Sequence, residues 1–379
     1  MKKTIIWIVI LALAIWGITA LTGDKSQKAV LDGPVKIGVI SPLTGDGAAY
    51  GEPGVNVYKL AVKEINDAGG IDGNMIELII EDGKCTGASA SSAAQKLVNV
   101  DKVQVIIGGF CSGESLAAIP IVETAKVALF SAGSSNPGLT GKSRYFARNY
   151  PGDSAQGKVL ANIANDQGAK TVYVLAEQTD YAKGIADALK TSFADLGGTV
   201  TIEEFPSSAT DMRQLVTKAK AANADFFMMS VQTPAMGQKI LKAMQDLQWK
   251  PKLLVNDAIP GDPATMSTYK TTLDGAYTAE VGTDVDNPIF KHALDLYKST
   301  YGTDMPFQSY GQMEWDAPFI IRDAIKAVGY DGEKIADWLH SEVKNWQGAA
   351  GSVTIGSDGD PLVGHRAEVI KNGKTEVLK

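Results

Sequence analysis

Residues 35–82 read VKIGVISPLTGDGAAYGEPGVNVYKLAVKEINDAGGIDGNMIELIIED, and this stretch predicts a strand, a helix and a second strand. Val35–Ile40 and Ile76–Glu81 are short runs rich in β-branched residues, which is typical of buried strands. Between them, apolar residues recur at helical spacing over residues 57–68, and Gly69-Gly70 then provides a C-terminal stop. A unit of this kind predicts a parallel sheet covered by helices.

The same alternation continues along the chain and starts again after Pro151. Further strands are predicted at 103–108, 127–131, 171–176, 199–205, 225–231 and 252–255, with helices between them. Two similar series in 379 residues predict two α/β lobes rather than one domain. In such sheets, ligands bind where strands end and loops lead into helices.

Composition narrows the classes of function. The chain is 45% hydrophobic and 21% charged, as in ordinary globular proteins, and its net charge is −7. Because no Lys or Arg cluster is interleaved with aromatic residues, we expect no nucleic-acid partner. The glycine-rich stretches at 45–51 and 136–143 each depart from nucleotide-binding patterns, so no cofactor is predicted. The three histidines, at 292, 340 and 365, are scattered, which argues against a metal site.

The N-terminus indicates export. Lys2 and Lys3 precede an apolar run over residues 5–21, which is the arrangement of a secretory signal. At about 17 residues the run also reaches the lower limit for a membrane-spanning helix. Residues 1–21 are therefore either a signal peptide, cleaved after Ala20, or an uncleaved membrane anchor, and 22–32 form a linker.

The chain has two cysteines, Cys85 and Cys111. Export favours a disulfide between them, and two buried thiols are the alternative. Cys111 also lies between a predicted strand and a predicted helix, as a nucleophile does in hydrolase-like or amidase-like α/β enzymes. The scarcity of histidines to serve as a base, and the second cysteine 26 residues upstream, argue against that enzyme.

Several segments together resemble the branched-chain amino acid (leucine/isoleucine/valine) binding proteins of ABC transporters, which have the type I periplasmic binding protein fold. The resemblance covers nearly all of residues 34–379, and its carriers, in chain order, are 37–51, 81–85, 108–112, 131–140, 153–157, 181–184 and 234–238.

The resemblance implies an α/β fold of two Rossmann-like lobes with parallel sheets and a ligand cleft between the lobes. It implies three hinge crossovers, near residues 151–153, 279–282 and 360–363. Lobe 1 would then comprise 33–151 with 282–360, and lobe 2 would comprise 152–281 with 361–379.

In that family the position matching Ser112 binds the carboxylate of the ligand, and the position matching Ser135 binds both its carboxylate and its ammonium. Gly133 matches a residue whose carbonyl accepts from the ammonium, and Ser134 lies between these two contacts. The residue type at 112 fits this role independently, because a serine at the start of a helix presents its hydroxyl and its N–H to an anion.

The resemblance also implies an acidic residue on lobe 2 that faces the ammonium. Chain order favours Asp257, with Asp262 as the alternative. Tyr50 and Tyr181 match aromatic positions that close over the ligand from opposite lobes. Three residues are expected to line the side-chain pocket: Phe110, Thr233 and Trp315. Thr233 departs from the aromatic residue found in the branched-chain type.

These inferences predict an exported solute-binding protein, in the periplasm or on the extracellular face of the membrane. It would bind a free amino acid, branched-chain or otherwise small and neutral, by hinge closure, and deliver it as a monomer to an ABC permease. We expect no catalysis. The alternatives are the enzyme with a Cys111 nucleophile and a ligand-sensing receptor domain.

Overall fold

The computed structural model describes residues 33–378. The signal peptide or anchor predicted at 1–21 and the linker predicted at 22–32 lie outside the described residues. Within 33–378, no helix combines the length and the apolar character needed to cross a membrane. The described chain is built on two large sheets, each the centre of one α/β lobe.

The first sheet has five parallel strands in the order β2-β1-β3-β4-β5. Its strands are β1 (Val35–Ser41), β2 (Ile76–Asp82), β3 (Val105–Ile107), β4 (Ala128–Ser131) and β5 (Phe146–Arg148). Three helices connect them: α1 (Ala48–Asp67), α2 (Gly87–Asn99) and α3 (Ser112–Ala125). Almost every residue of β1, β3 and β4 is buried, which explains their continuous apolar sequence.

The second sheet has seven strands in the order β14-β13-β10-β9-β8-β6-β7. Its parallel strands are β6 (Thr171–Glu177), β7 (Thr199–Phe205), β8 (Phe226–Ser230), β9 (Leu253–Val255) and β10 (Tyr277–Val281). Two antiparallel strands complete one edge: β13 (His365–Lys371) and β14 (Lys374–Val377). The helices of this part are α4 (Asp153–Asp166), α5 (Asp180–Asp195), α6 (Arg213–Ala222), α7 (Pro234–Asp246), α8 (Pro263–Thr268) and α9 (Lys270–Leu273).

The chain passes between the two sheets three times: after β5, after β10 and before β13. Between the last two passages lie α10 (Pro288–Tyr301), α11 (Gln308–Val328), α12 (Gly332–Ser341) and the hairpin of β11 (Trp346–Gly348) and β12 (Gly351–Val353). Helix α11 packs against α1, and α12 packs against β4 and β5, so this segment belongs to the first lobe. The predicted two-lobed α/β fold is confirmed.

Helix α1 begins nine residues before the start that the apolar spacing predicts. Glycines and a proline near its start weaken the helical signal, and tertiary contacts explain two of them. A Cβ on Gly51 would lie 2.0 Å from the carbonyl oxygen of Pro42, and one on Gly54 would lie 2.3 Å from Oε1 of Glu314. Close packing therefore selects poor helix formers at these positions.

Candidate functional site

The start of α3 faces the turn that follows β4. Ser112 is the first residue of α3, and its Oγ accepts hydrogen bonds from the backbone N–H groups of Ser135 at 3.3 Å and Asn136 at 3.1 Å. These bonds join the two segments that the sequence predicted to bind a carboxylate. The hydroxyl hydrogen of Ser112 is left to donate to an acceptor beside the positive end of the helix.

Arg148, which is fully buried, fixes the shape of this turn. Its guanidinium donates to the carbonyl oxygens of Ser134 and Asn136, both at 3.1 Å. It also forms a bidentate pair with the carboxylate of Asp360, at 2.7 and 2.9 Å. Such bidentate, charge-assisted bonds are geometrically specific. Through Arg148, the turn is therefore fixed to Asp360, in the segment that precedes β13.

Two of the predicted ligand contacts in this turn, Ser134 and Gly133, have contacts within the protein that explain their residue type. The Oγ of Ser134 donates to the carbonyl oxygen of Gly109 at 2.7 Å, which directs this hydroxyl toward β3. A Cβ on Gly133 would lie 2.6 Å from the ring of Phe110, so a glycine allows that ring to approach. Ser134 therefore stabilises the turn, and Gly133 leaves space for the ring of Phe110.

Ser135 and Asp153 are two of the buried residues in this region with polar atoms that lack protein partners; Oδ1 of Asn149 and Oε1 of Gln156 are others. The side chains of Ser135 and Asp153 are fully buried, and neither the Oγ of Ser135 nor either carboxylate oxygen of Asp153 has a hydrogen bond among the described residues. The two residues adjoin, since the N–H of Asp153 donates to the carbonyl oxygen of Ser135 at 2.8 Å. Buried polar groups without partners are costly, which points to a polar ligand at this position.

Asp153 was not among the predicted ligand contacts. Acidic residues are common in the first turn of a helix, where they interact favourably with the helix dipole. The sequence alone therefore gives no sign that Asp153 has a second role. In the structure, burial and then the negative charge of Asp257 raise the pKa of Asp153 well above its usual value, against smaller opposing effects of the adjacent Ser135 hydroxyl and of Arg148. A ligand cation beside Asp153 would offset both effects and favour its ionised form.

Asp257 follows β9 and is 1% exposed. Its carboxylate accepts hydrogen bonds from the hydroxyls of Tyr150 at 2.6 Å, Tyr310 at 2.8 Å and Tyr181. Burial and the charge of Asp257 raise the pKa of all three tyrosines, which therefore stay protonated donors. Tyr181 and Asp257 thus come together as predicted positions, whereas Tyr150 and Tyr310 were not foreseen.

Four aromatic rings form a wall beside Asp257, here called the aromatic wall: Tyr50, Phe110, Phe307 and Tyr310. Tyr50 stacks on Phe110 at 5.0 Å between ring centroids and lies 4.6 Å from Phe307. Phe110 in turn meets Tyr310 edge to face at 5.0 Å. The hydroxyl of Tyr50 donates to the carbonyl oxygen of Gln232 at 3.1 Å, so the lobes touch across the cleft.

Three other predicted residues lie apart from this arrangement. Trp315 packs into the first lobe beside Val57 and Phe290. Thr233 caps α7 and accepts from the N–H of Met236, although its neighbour Gln232 meets Tyr50. Asp262 caps α8 and accepts from the N–H of Thr265 at 2.9 Å. The structure therefore favours Asp257 over Asp262 as the acid that faces the cleft.

The predicted disulfide is present. Cys85 and Cys111 are bonded, with their Cα atoms 5.3 Å apart. The carboxylate of Glu114 accepts from the N–H of each cysteine at 2.9 Å and ties the bonded pair to α3. A thiol held in a disulfide is not a nucleophile, so the structure does not favour the Cys111 enzyme.

Residues 34–368 match a protein family described as periplasmic binding protein. The chain is 32% identical over 260 residues, which cover 67% of each chain, to an amino acid binding protein of Pseudomonas aeruginosa. A leucine-, isoleucine-, valine-, threonine-, and alanine-binding protein of that organism is 31% identical over 229 residues, or 60% of this chain and 61% of that protein.

Two solved structures share the whole architecture. The leucine binding protein LivK of Thermotoga maritima superposes with a TM-score of 0.82 at 27% identity, covering 91% of this chain and 98% of the other. The branched-chain amino acid transporter substrate binding protein LivJ of Streptococcus pneumoniae, in complex with isoleucine, gives a TM-score of 0.80, also at 27% identity, over 91% and 98% of the two chains.

Proposed function

Because this chain belongs to the periplasmic binding protein family, we propose that it is the solute-binding protein of an ABC uptake transporter. It holds a free amino acid, branched-chain or otherwise small and neutral, in the cleft between its lobes. It acts outside the cytoplasm as a monomer, delivers the ligand to a membrane permease and catalyses no reaction. The names of its relatives, which bind leucine, isoleucine and valine, support this proposal.

One observation carries the proposal: buried, unpartnered acceptors at Ser135 and Asp153 lie beside a helix start that suits an anion. An amino acid carries an ammonium and a carboxylate on one carbon, so it needs both kinds of surface side by side. The carboxylate would bind at Ser112 and the start of α3. The ammonium would lie between Ser135 and Asp153, with the carboxylate of Asp257 supplying further negative charge.

Closure brings the two halves of the site together. Tyr50 meets Gln232 across the cleft, and the side-chain amide of Asn136 donates to the carbonyl oxygen of Asp180. A ligand held from both lobes stabilises this closed state through its contacts on each side. The closed shape is the form that a permease would recognise.

The test is isothermal titration calorimetry of ligand-stripped protein with the twenty amino acids and with benzoate, which has a carboxylate and no ammonium. We expect one bound amino acid per chain and no heat from benzoate. Native mass spectrometry of freshly purified protein should show the same amino acid bound. If benzoate binds and no amino acid does, the assignment to amino acids is wrong.

A further inference from the structure

The start of α11 contacts the loop that follows β9, although the two belong to different lobes. The hydroxyl of Tyr310, in the first turn of α11, donates to Oδ2 of Asp257 at 2.8 Å. Three residues earlier in the chain, the N–H of Phe307 donates to the carbonyl oxygen of Gly261 at 3.2 Å. Two hydrogen bonds therefore join the lobes directly at this point.

The local structure at Phe307 fits such a contact. Phe307 immediately precedes α11 and has a φ of +48°, in the left-handed region that is unfavourable for a residue with a side chain. Its hydrogen bond to Gly261 helps to offset that cost. A Cβ on Gly261 would lie 2.8 Å from Cδ1 of Phe307, so a glycine on the second lobe leaves space for the ring. The two segments are therefore complementary in shape as well as in hydrogen bonding.

The carboxylate of Asp257 has little capacity left for a ligand. Its Oδ2 accepts from both Tyr150 and Tyr310, and its Oδ1 accepts from Tyr181. A carboxylate has about four acceptor positions, so protein hydroxyls already fill three of them. Asp153, in contrast, has a hydrogen bond at neither carboxylate oxygen among the described residues. Asp153 is therefore the better acceptor for the N–H groups of a ligand, and Asp257 is engaged in joining the lobes.

We propose that these two contacts, Tyr310 with Asp257 and Phe307 with Gly261, form an interlobe latch, and that Asp257 strengthens ligand binding through Tyr310 rather than by contacting the ligand. This inference rests on the proposed function, since it assumes that the lobes close around the ligand. A bond that exists only in the closed form raises the closed fraction of the protein, and the apparent affinity rises with that fraction. Because the bond forms after the ligand has entered, it slows dissociation and leaves association unchanged.

A double-mutant cycle tests the proposal by calorimetry on ligand-stripped protein, with leucine, valine, threonine and alanine as the probes. Tyr310→Phe removes only a hydroxyl and should weaken binding about tenfold, the effect of one hydrogen bond to a charged group. In Asp257→Ala, which already lacks the acceptor, the same change should have less than about a twofold effect. In stopped-flow fluorescence, Tyr310→Phe should raise the dissociation rate about tenfold and keep the association rate within about twofold of the wild type.

Tyr173→Phe is the matched control. Tyr173 donates to the carboxylate of Glu203, so the two form the same kind of pair, but both lie in the second lobe, on β6 and β7. This variant should change neither the affinity nor the dissociation rate.

The outcomes separate this proposal from the proposed function. If Tyr310→Phe weakens binding equally with and without Asp257, or acts by slowing association, the latch is wrong although the proposed function stands. If none of the probes, nor any other of the twenty amino acids, binds the wild type, the proposed function itself fails and this inference fails with it.

Discussion

Buried neutral acids should make this protein more stable in mild acid than in mild base. The pKa of Glu314 is about 8 in the folded chain and close to 4.5 when the chain unfolds. Between these two values the unfolded state releases a proton that the folded state keeps. The stability from this group is therefore fully present below pH 4.5 and is lost as the pH rises toward 8.

The size of the effect follows from the difference between the two pKa values. At 1.36 kcal/mol for each unit, the full loss is about 3–5 kcal/mol. Glu114 and Asp316 act in the same direction, because burial raises the pKa of each to about 7. His365 acts in the opposite direction: burial lowers its pKa to about 4, so its contribution is lost as the pH falls below 6.5.

The assay is urea unfolding followed by circular dichroism at pH 5, 6.5 and 8, without ligand. The free energy of unfolding should fall from pH 5 to pH 8 in the wild type. In Glu314→Gln, which cannot ionise, this fall should be smaller by about 3 kcal/mol or more. Asp316→Asn, a second variant of α11, should reduce the fall by a similar or smaller amount. An unchanged fall in Glu314→Gln would refute the view that Glu314 is a buried neutral acid.

Three further predictions concern the cleft and the disulfide. Ser135→Ala should weaken amino acid binding by about 1.5–3 kcal/mol, and Asp153→Asn by more, as measured by calorimetry; unchanged affinity in Asp153→Asn would remove that residue from the site. Asp257→Ala should lower the melting temperature measured with saturating ligand, because in the closed cleft it leaves the hydroxyls of Tyr150 and Tyr310 without an acceptor, and an unaltered transition would contradict the hydrogen bonds described here. Thiol titration of denatured, unreduced protein should find Cys85 and Cys111 blocked, and reduction should cost about 3–4 kcal/mol of stability; two free thiols would contradict the disulfide.

The regular part of the fold could be predicted from sequence because buried parallel strands leave a continuous apolar signal. Strands β1 and β2 were foreseen within one residue at each end. The antiparallel edge formed by β13 and β14 was not, because β13 mixes charged residues with only a few apolar ones. Its place is set by pairing with β10, which is a contact distant in sequence.

The predicted site residues that the structure brings together are those that follow a local sequence pattern. Ser112 and Ser135 lie at a strand-to-helix loop and a strand end, and the structure joins them by a hydrogen bond. Trp315 lies elsewhere because it follows Tyr310 by five residues on the same helix, α11. Five residues of helix turn the direction of a side chain by about 140°, so Tyr310 faces the cleft while Trp315 faces the core of the first lobe.

The bonds of Arg148 imply that the two lobes would contribute differently to the proposed binding of a ligand. They bind the turn at 134–136 to Asp360, and none of them reaches the second sheet, so opening the cleft need not disturb them. In the proposed function, an arriving ligand would meet a preformed surface on the first lobe, and the second lobe would close on it. In the proposed function, the first-lobe surface would determine the rate of ligand association, and Tyr181 and Asp257 on the second lobe would determine the rate of dissociation.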